Sequence, residues 1–522
     1  MTTRRALLVV AVVAVATYAP SVRNGFAGDD GQIIVNNPLV HGWAGAGPAA
    51  FRSPYWPPQF GGALYRPLAI VTYTLDWHWG GGAPAWFHVM NLLWNAGASV
   101  LVALLAGAWS GGRGGEPGAA GDGAGARAAL VGGLLFAVHP VHVEAVANIV
   151  GRAELLAACF TLLAVYCAVE RDNWWLSALF WQLGLLSKEN AVAAPALIVG
   201  AWVLGIGPRR PTRNLVLAFG GSWVAVGLLY AALRHAALGA YAPLWSPAPV
   251  FLGQSPLGIR LTAVAALTDV ARLLLFPLHL RADYSPAERV AVTHVGDAAF
   301  LLGFLVLAGW AVLLWLAWRR GRTVEALGVA WIGIAYLPVA NLLFPIGVLI
   351  AERTLYLPSA GLALAAGAVA ARLPARPGYG LAFALVVIAG ATRTVLRIPV
   401  WHDNLAVAQS IRRDSPDSYQ GHMEAAGILL ERGRPDLALT AARLAVEAYA
   451  PDPRPYLIGA HAAWALGQWG AGDSLLAAAD RRCRPCGGVY QAEIAEARAL
   501  KEPAVADSLA GHYQRVFGGK PF

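Results

Sequence analysis

Two adjacent carboxylates, Asp29 and Asp30, lie in the segment GDDG, a few residues beyond the first apolar run of the chain. Two acids close to a membrane surface can hold one catalytic proton, and a carboxylate in this position can act as a general base toward a hydroxyl group. An Asp-Asp-Gly sequence is also a common turn or capping element. Taken alone, the pair is therefore compatible with a base or with a simple turn.

Four basic residues recur near the ends of apolar runs, where they could gather around an anion. Arginine can hold two phosphate oxygens at once, and positive charge stabilises a phosphate that is released as a leaving group. Each side chain could instead reach from a helix end into the polar interface without any chemical role. The candidates for phosphate binding are Arg66, Arg152, Lys188 and Arg353.

Two histidines, His139 and His142, are three residues apart and would share one face of a helix. The acids Glu144 and Glu154 follow them, so a metal site is conceivable. Hydrogen bonding of the imidazoles to phosphate or sugar serves equally well, and a packed structural role is expected for at least one of them. We therefore predict no metal site, although a divalent metal is not excluded.

The composition places these residues in a membrane protein. The chain has 522 residues, of which 57% are hydrophobic and 13% are charged, whereas a soluble domain carries about 25% charged residues. The net charge of +9 comes largely from arginines in short loops instead of one patch. This distribution fits the excess of positive charge in cytoplasmic loops and argues against nucleic-acid binding.

Apolar runs long enough to cross a bilayer recur along residues 1–400, and we predict about eleven transmembrane helices. Arg4 and Arg5 hold the N-terminus in the cytoplasm, so the loop 23–85 with the Asp-Asp pair lies outside it. The predicted spans are an N-terminal run that ends near Pro20 and runs near 86–109, 128–139, 153–169, 173–187, 190–206, 214–233, 297–317, 324–343, 354–371 and 379–397.

The segment 234–296 begins and ends outside the cytoplasm in this topology. Its apolar run at 258–280 is interrupted by Arg260, Asp269 and Arg272. Charges at this density fit a re-entrant or interfacial helix better than a helix that faces lipid.

Residues 401–522 change to an Ala-rich helical pattern with a period of 34 residues, in which Gly433 recurs as Gly467 and Ala445 as Ala479. This is the period of tetratricopeptide repeats. We predict an extracytoplasmic α-helical solenoid of this type, completed by helices near 404–414 and 489–516; a generic helical bundle is the alternative. The pair Cys483 and Cys486 in this domain could form a local disulfide.

Seven motifs occur in an order that resembles the transmembrane and tetratricopeptide repeat-containing O-mannosyltransferases of the GT-C superfamily. The most specific is the block FAVHPVHVEAVANIVGRAELLA at 136–157. The others are GDDGQIIVNNP at 28–38, LYRPL at 64–68, FHVMNLL at 87–93, LSKEN at 186–190, ADYS at 282–285 and ERTLYLPSAG at 352–361. Only about two repeats are readable in the tail, fewer than in the family, and this departure bears on the acceptor more than on the chemistry.

The resemblance implies an all-α polytopic GT-C enzyme that transfers a sugar, with mannose the best guess, from a polyprenyl- or dolichyl-phosphate carrier with inversion. Asp29 is then preferred as the base, and Asp30 would position the acceptor or Asp29. No cofactor is implied beyond the lipid-linked donor. The expected substrate pocket includes Glu144, Glu154, Asp283, Tyr284 and Glu352.

The acceptor implied by the resemblance is a Ser or Thr hydroxyl of a polypeptide held by the C-terminal repeats. A cell-envelope glycan or lipid acceptor, a non-enzymatic scaffold that recruits partners through the repeats, and a transporter remain alternatives. Ala, Gly and Arg richness is typical of a high-GC bacterial sequence, which predicts the cytoplasmic membrane with the active face on the periplasmic side. In a eukaryote, the same topology would predict the endoplasmic reticulum and its lumen.

Overall fold

The structure is a computed structural model that describes residues 2–57, 64–111, 122–239, 247–285, 287–374, 376–483 and 487–517. These residues form helices joined by loops, and no strand occurs among them. Several helices are long and apolar enough to cross a bilayer. The predicted fold class, an all-α polytopic membrane protein, is confirmed.

The described residues before Trp401 include sixteen α-helices. They are α1 (Thr3–Tyr18), α2 (Pro38–His41), α3 (Pro67–Trp79), α4 (Pro84–Ser110), α5 (Asp122–Ala137), α6 (Val143–Ala147), α7 (Arg152–Arg171), α8 (Trp174–Ser187), α9 (Ala194–Val203), α10 (Arg213–Leu238), α11 (Pro256–Ala265), α12 (Leu267–Leu275), α13 (Ala298–Arg319), α14 (Thr323–Tyr336), α15 (Tyr356–Arg372) and α16 (Pro377–Arg397).

Seven helical segments of the described chain have the length and hydropathy of a membrane span, and they contain α1, α4, α7, α10, α13, α15 and α16. An eighth span results if the pair Gly123–Ala137 and Pro140–Ala147, bent by 48°, is counted as one. The other three predicted spans coincide with the shorter helices α8, α9 and α14. The chain is thus an integral membrane protein, and the count of about eleven spans stays a prediction.

Small residues let the central helices approach closely. Gly328 of α14 faces Gly361 of α15, and a Cβ atom added to either glycine would collide with the carbonyl oxygen of the other. Gly132 of α5 lies equally close to the backbone of Ala363. Without a hydrophobic driving force between helices in lipid, this close packing is a main source of helix association.

A buried ion pair joins three helices beneath the first loop. Arg152 at the start of α7 has no exposed surface, and its guanidinium pairs with Asp76 of α3. The same group donates to the side-chain oxygen of Asn91 over 2.7 Å and to the carbonyl oxygen of Phe87 over 2.8 Å, both in α4. These bonds satisfy a charge that could not otherwise be buried.

The segment 258–280 forms two short helices, α11 and α12, and neither has the length of a span. Its charged residues have partners. Asp269 accepts from Arg289 over 2.8 Å and from Arg272 over 3.3 Å, and Arg260 donates to the carbonyl oxygen of Leu342 over 3.2 Å. The short length of α11 and α12 agrees with the expectation that this segment does not cross the bilayer.

Seven further helices follow Trp401, and six of them pack as three successive hairpins. Gly433 and Gly467 occupy equivalent turns with φ of 69° and 73°, a left-handed conformation that glycine adopts without strain. The helices predicted near 404–414 and 489–516 are present. The seven are α17 (Asn404–Asp414), α18 (Tyr419–Glu431), α19 (Pro435–Ala448), α20 (Arg454–Ala465), α21 (Trp469–Asp480), α22 (Gly487–Ala499) and α23 (Pro503–Phe517).

Replacement of Asp76 by Ala is expected to destabilise the protein strongly, because Arg152 would remain buried without its carboxylate. Loss of one partner of a buried pair typically costs about 3–5 kcal/mol. Thermal unfolding in detergent, followed by tryptophan fluorescence, should show a large fall in Tm.

Asp436→Ala is the matched control, since Asp436 pairs with Arg434 on an exposed surface of the hairpins. Its Tm should stay close to that of the unmodified protein. Equal Tm values for the two variants would contradict a stabilising role for the buried pair.

Candidate active site

Two cavities meet at Asp29. We call them the hairpin chamber, of about 1020 Å³, and the basic chamber, of about 1110 Å³. Asp29 and Arg353 line both chambers, so the junction brings the predicted base beside a predicted phosphate ligand. The other residues that line both chambers are Gly28, Gly347, Val348, Asn404, Gln420, Glu424 and Arg454.

The Asp29 loop is held by contacts from the C-terminal part of the chain. Gly28 has a φ of 58°, a left-handed conformation, and its N–H donates to the side-chain oxygen of Asn404 over 2.7 Å. The N–H of Gly25 donates to the carbonyl oxygen of His402 over 2.8 Å. The carboxylate of Asp29 makes no hydrogen bond or ion pair within the described chain and is exposed to the chambers. It is therefore open to a substrate.

Asp30 has a different environment from its neighbour. It is only 1% exposed, and its two oxygens accept from the N–H groups of Ala27 over 3.0 Å and Val150 over 2.9 Å. One bond closes the loop on itself and the other fastens it to the turn before α7. The geometry thus assigns Asp30 a positioning role and leaves Asp29 as the exposed carboxylate.

Both carboxyl groups have raised pKa values. Desolvation by the surrounding protein raises the pKa of Asp29 above its usual value, and the nearby positive charge of Arg353 opposes this rise. Burial raises the pKa of Asp30 to about 7, against the effect of its two backbone hydrogen bonds. A raised pKa strengthens Asp29 as a proton acceptor once it is ionised.

Besides Arg454, four basic side chains of the membrane part line the basic chamber: Arg66, Lys188, Arg234 and Arg353. Arg66 binds Glu189 over 3.0 Å, and Arg234 lies 3.9 Å from the same carboxylate. Three of the four were predicted from the sequence. Arg234 was not, because it lies near the end of a long apolar helix and belongs to none of the motifs.

Predicted acids hold two of these cations in place. Glu154 pairs with Lys188 and also accepts from the amide of Asn190 over 2.7 Å. Glu144 pairs with the guanidinium of Arg353 and accepts from its backbone N–H over 2.8 Å. Burial lowers the pKa of Lys188 to about 8, although Glu154 opposes that shift. A bound anion would favour its charged form.

The rest of the basic chamber is largely apolar and aromatic. Its wall includes Trp181 and Leu185 of α8, Tyr230 of α10 and Phe344 in the loop after α14. Because α10 exposes much of its apolar surface outside the protein core, this wall continues toward the lipid-facing side of the helices. The chamber can therefore take an amphiphile whose negatively charged end lies at the basic side chains and whose apolar part lies along this wall.

The hairpin chamber combines residues from both halves of the chain. Asp283, Tyr284 and Glu144 line it from the membrane part. The carboxylate of Asp283 accepts from the hydroxyls of Ser285 and Ser418, which links it to the start of α18. On the opposite side, the wall consists mainly of residues from α18, α20 and their loops.

Several predicted site residues lie away from the chambers. Glu352 is 2% exposed and accepts from the hydroxyl of Tyr284 over 3.0 Å, so it supports the wall from behind. His142 has no exposed surface and contacts the hydroxyl of Ser359 over 2.7 Å. His139 bonds to the carbonyl oxygen of Leu274 over 3.0 Å. These residues contribute to the packing behind the site.

Arg152 and Glu154 also line neither chamber. The guanidinium of Arg152 makes its hydrogen bonds to Asp76 and to residues of α4. Glu154 forms an ion pair with Lys188, which lines the basic chamber. No group of three or more His, Cys, Asp or Glu side chains that could hold a metal ion occurs within the described ranges. Cys486 lies outside the described residues, so the predicted disulfide with Cys483 stays a prediction.

Three further residues that the sequence analysis missed come from the C-terminal hairpins: Gln420, Glu424 and Arg454. None lies in a motif shared with the membrane part, and each sits in an ordinary polar helical stretch. Their position at the junction depends on how the hairpins pack against the membrane helices.

The chain is similar over most of its length to curated protein O-mannosyl-transferases. It is 28% identical over 487 residues to human Protein O-mannosyl-transferase TMTC4, covering 83% of this chain and 65% of the relative. It is 26% identical to Protein O-mannosyl-transferase F38B6.6 of Caenorhabditis elegans, with 82% of this chain and 60% of the relative covered. With mouse Protein O-mannosyl-transferase TMTC3, the identity is 25%, over 68% and 41% of the two chains.

The chain thus spans about two thirds or less of the length of these relatives. No family model matches it, and neither does any solved structure. The similarity extends over 68–83% of this chain and confirms the predicted resemblance. The chain is TMTC-like, being similar at 25–28% identity to curated proteins named O-mannosyl-transferases.

Proposed function

We propose that this protein transfers mannose from a polyprenyl-phosphate carrier to a Ser or Thr hydroxyl of a polypeptide, with inversion at the anomeric carbon. The observation that carries the proposal is the position of Asp29 where the basic chamber meets the hairpin chamber, an exposed carboxylate without a partner among the described residues. The similarity to proteins named O-mannosyl-transferases supports the sugar and the acceptor class.

In this proposal, Asp29 takes the proton of the acceptor hydroxyl as its oxygen attacks the anomeric carbon. The bond between that carbon and the phosphate oxygen breaks at the same time, and the electron pair leaves with the polyprenyl phosphate. Asp30 holds the loop so that Asp29 faces the reacting atoms. Because the side chain of Asp30 accepts two backbone hydrogen bonds, the adjacent Asp29 has little freedom to leave the reactive geometry.

The basic chamber would bind the donor phosphate. Its positive charges stabilise the negative charge that develops on the leaving phosphate. They come from Arg66, Lys188, Arg234 and Arg353. The carboxylates Glu189, Glu154 and Glu144 keep these cations in place before the donor arrives. The apolar wall of α8 and α10 suits the polyprenyl chain.

We further propose that the site lies on the extracytoplasmic face, which is the periplasmic side if the protein is bacterial. The helix α10 begins at Arg213, next to the basic loop that contains Arg209 and Arg210, and ends near Arg234 in the basic chamber. Its 26 residues span about 39 Å as a helix. Because basic loops favour the cytoplasm, the chamber at the far end of α10 would lie on the other side.

The first test is the transfer of radiolabelled mannose from synthetic polyprenyl-phosphate mannose to Ser- and Thr-containing peptides by the purified protein. Asp29→Asn should lower kcat by about a hundredfold or more, as expected for loss of a general base, with an unchanged Tm. Asp30→Asn should retain more activity because an amide oxygen can still accept one of the two N–H bonds.

The stability of Asp30→Ala separates the two roles, since this variant loses both loop bonds and should melt at a lower temperature. Equal activity of Asp29→Asn and the unmodified protein would remove Asp29 as the base. Absence of transfer from any lipid-linked sugar by the unmodified protein, together with no binding of polyprenyl phosphate, would contradict the enzymatic function.

Arg234→Gln is expected to raise the KM for the donor without a comparable change in the KM for the acceptor. The reason is that Arg234 lines the basic chamber but not the hairpin chamber. Loss of one charge-assisted contact corresponds to about a tenfold or larger effect. The matched control is Arg213→Gln at the exposed opposite end of the same helix, which should behave like the unmodified protein. A donor KM that responds equally to both changes would contradict the phosphate site.

The pH dependence of kcat/KM should show an acidic limb above the usual carboxyl pKa of about 4. Asp29 must be ionised to accept a proton, and desolvation raises its pKa, so activity is lost as pH falls through the raised value. The donor is a phosphodiester that stays ionised in this range, so the limb reports on the protein. A rate that is constant down to pH of about 4 would contradict Asp29 as the base.

A further inference from the structure

The C-terminal hairpins contribute three polar side chains to the junction of the chambers. Gln420 and Glu424 lie one turn apart on α18, and Arg454 begins α20; all three line both chambers, as Asp29 does. We call these residues the polar trio. Neither the motifs nor the proposed reaction assigns them a role.

The position of the trio relative to Asp29 is fixed by direct contacts between the two halves of the chain. Asn404 of α17 accepts from the N–H of Gly28 over 2.7 Å. Ser418, which caps α18, donates its hydroxyl to Asp283. The buried guanidinium of Arg397 in α16 pairs with Asp414 of α17 over 2.7 Å. The helix α17 is therefore fastened to the loop that carries Asp29, and the start of α18 to Asp283.

The trio is also held in a defined geometry. The amide of Gln420 donates to one oxygen of Glu424 over 2.8 Å. Arg454 is held by Asp452 over 2.6 Å and by the hydroxyl of Tyr419 over 3.1 Å, both through the same terminal nitrogen. The other terminal nitrogen of Arg454, the second oxygen of Glu424 and the amide oxygen of Gln420 make no hydrogen bond within the described chain. One donor and two acceptors thus remain available to a ligand.

This set of free groups matches the main chain of an extended peptide, which presents one N–H donor and one carbonyl acceptor per residue. The hairpin chamber, of about 1020 Å³, is lined by both halves of the protein and can take a short extended segment. A folded domain is far larger, with a radius of gyration of about 13 Å for ~100 residues. The acceptor segment must therefore be unfolded where it meets Asp29.

We infer that Gln420, Glu424 and Arg454 form an acceptor subsite that grips the main chain of an extended polypeptide and presents one hydroxyl side chain to Asp29. This subsite rests on the proposed function, and it places the positioning of the acceptor in the C-terminal half of the molecule. The C-terminal hairpins are accordingly part of the active site, in addition to any docking surface farther along the repeats.

The test uses the full chain in detergent with polyprenyl-phosphate mannose and a short unstructured peptide that contains one Thr. Glu424→Gln removes one charge at constant size, and Arg454→Lys keeps the charge but loses the forked geometry. Each should raise the KM for the peptide about tenfold or more, with the donor KM unchanged. Arg434→Gln, in the exposed turn of the same hairpin, is the matched control and should change neither constant.

A second measurement keeps the inference independent of turnover. Binding of the fluorescein-labelled peptide to Asp29→Asn should weaken by a similar factor when either trio substitution is added, while the Tm of each variant stays close to that of its parent. If the unmodified protein transfers no sugar but trio substitutions still weaken peptide binding, the proposed function fails and the subsite stands.

Three results would overturn the subsite. The first is an unchanged peptide KM in both trio variants of an active enzyme. The second is an equal loss of donor affinity, which would place the trio in the donor site. The third is transfer to a glycan or lipid acceptor under conditions where the peptide is neither bound nor mannosylated.

Discussion

A charge buried in a low-dielectric protein must be compensated within the protein, and this constraint organises the whole site. Arg66 is held by Glu189, Lys188 by Glu154 and the guanidinium of Arg353 by Glu144. These pairs keep the cations charged and oriented while the basic chamber is empty. The carboxylate of Asp29 lacks such a partner in the described chain, which leaves it available for proton transfer.

The same constraint explains why adjacent acids of one motif can have different roles. Asp30 points into the protein, where two backbone N–H groups satisfy it, and it ties the first loop to the turn before α7. Asp29 is exposed at the meeting point of two chambers of different chemistry. One chamber offers positive charge and an apolar wall, and the other offers hydrogen-bonding groups from the hairpins. A donor and an acceptor can thus reach the same carboxylate from separate sides.

Anchoring of the first loop by the C-terminal segment makes the two halves of the chain one functional unit. Gly25 and Gly28, just before Asp29, each donate a backbone N–H to the start of the C-terminal part. Such bonds form only when the segment that leads into the hairpins packs against the first loop. The hairpins can therefore contribute to chemistry that their sequence, with its plain helical repeat, gives no reason to expect.

Local chemistry was enough to predict the all-α membrane class, whereas the tetratricopeptide-type repeat and the site around the Asp-Asp motif stay predictions. Composition and apolar run length follow directly from the solvent that surrounds each helix, and the ordered motifs mark the loops where polar groups cluster. Only the tertiary structure decided that Arg152 is consumed by Asp76, that Arg234 reaches the basic chamber, and that Glu424 and Arg454 face Asp29. Whether a charged side chain is paired or available depends on which distant carboxylate packs against it, and that proximity has no signature in the local sequence.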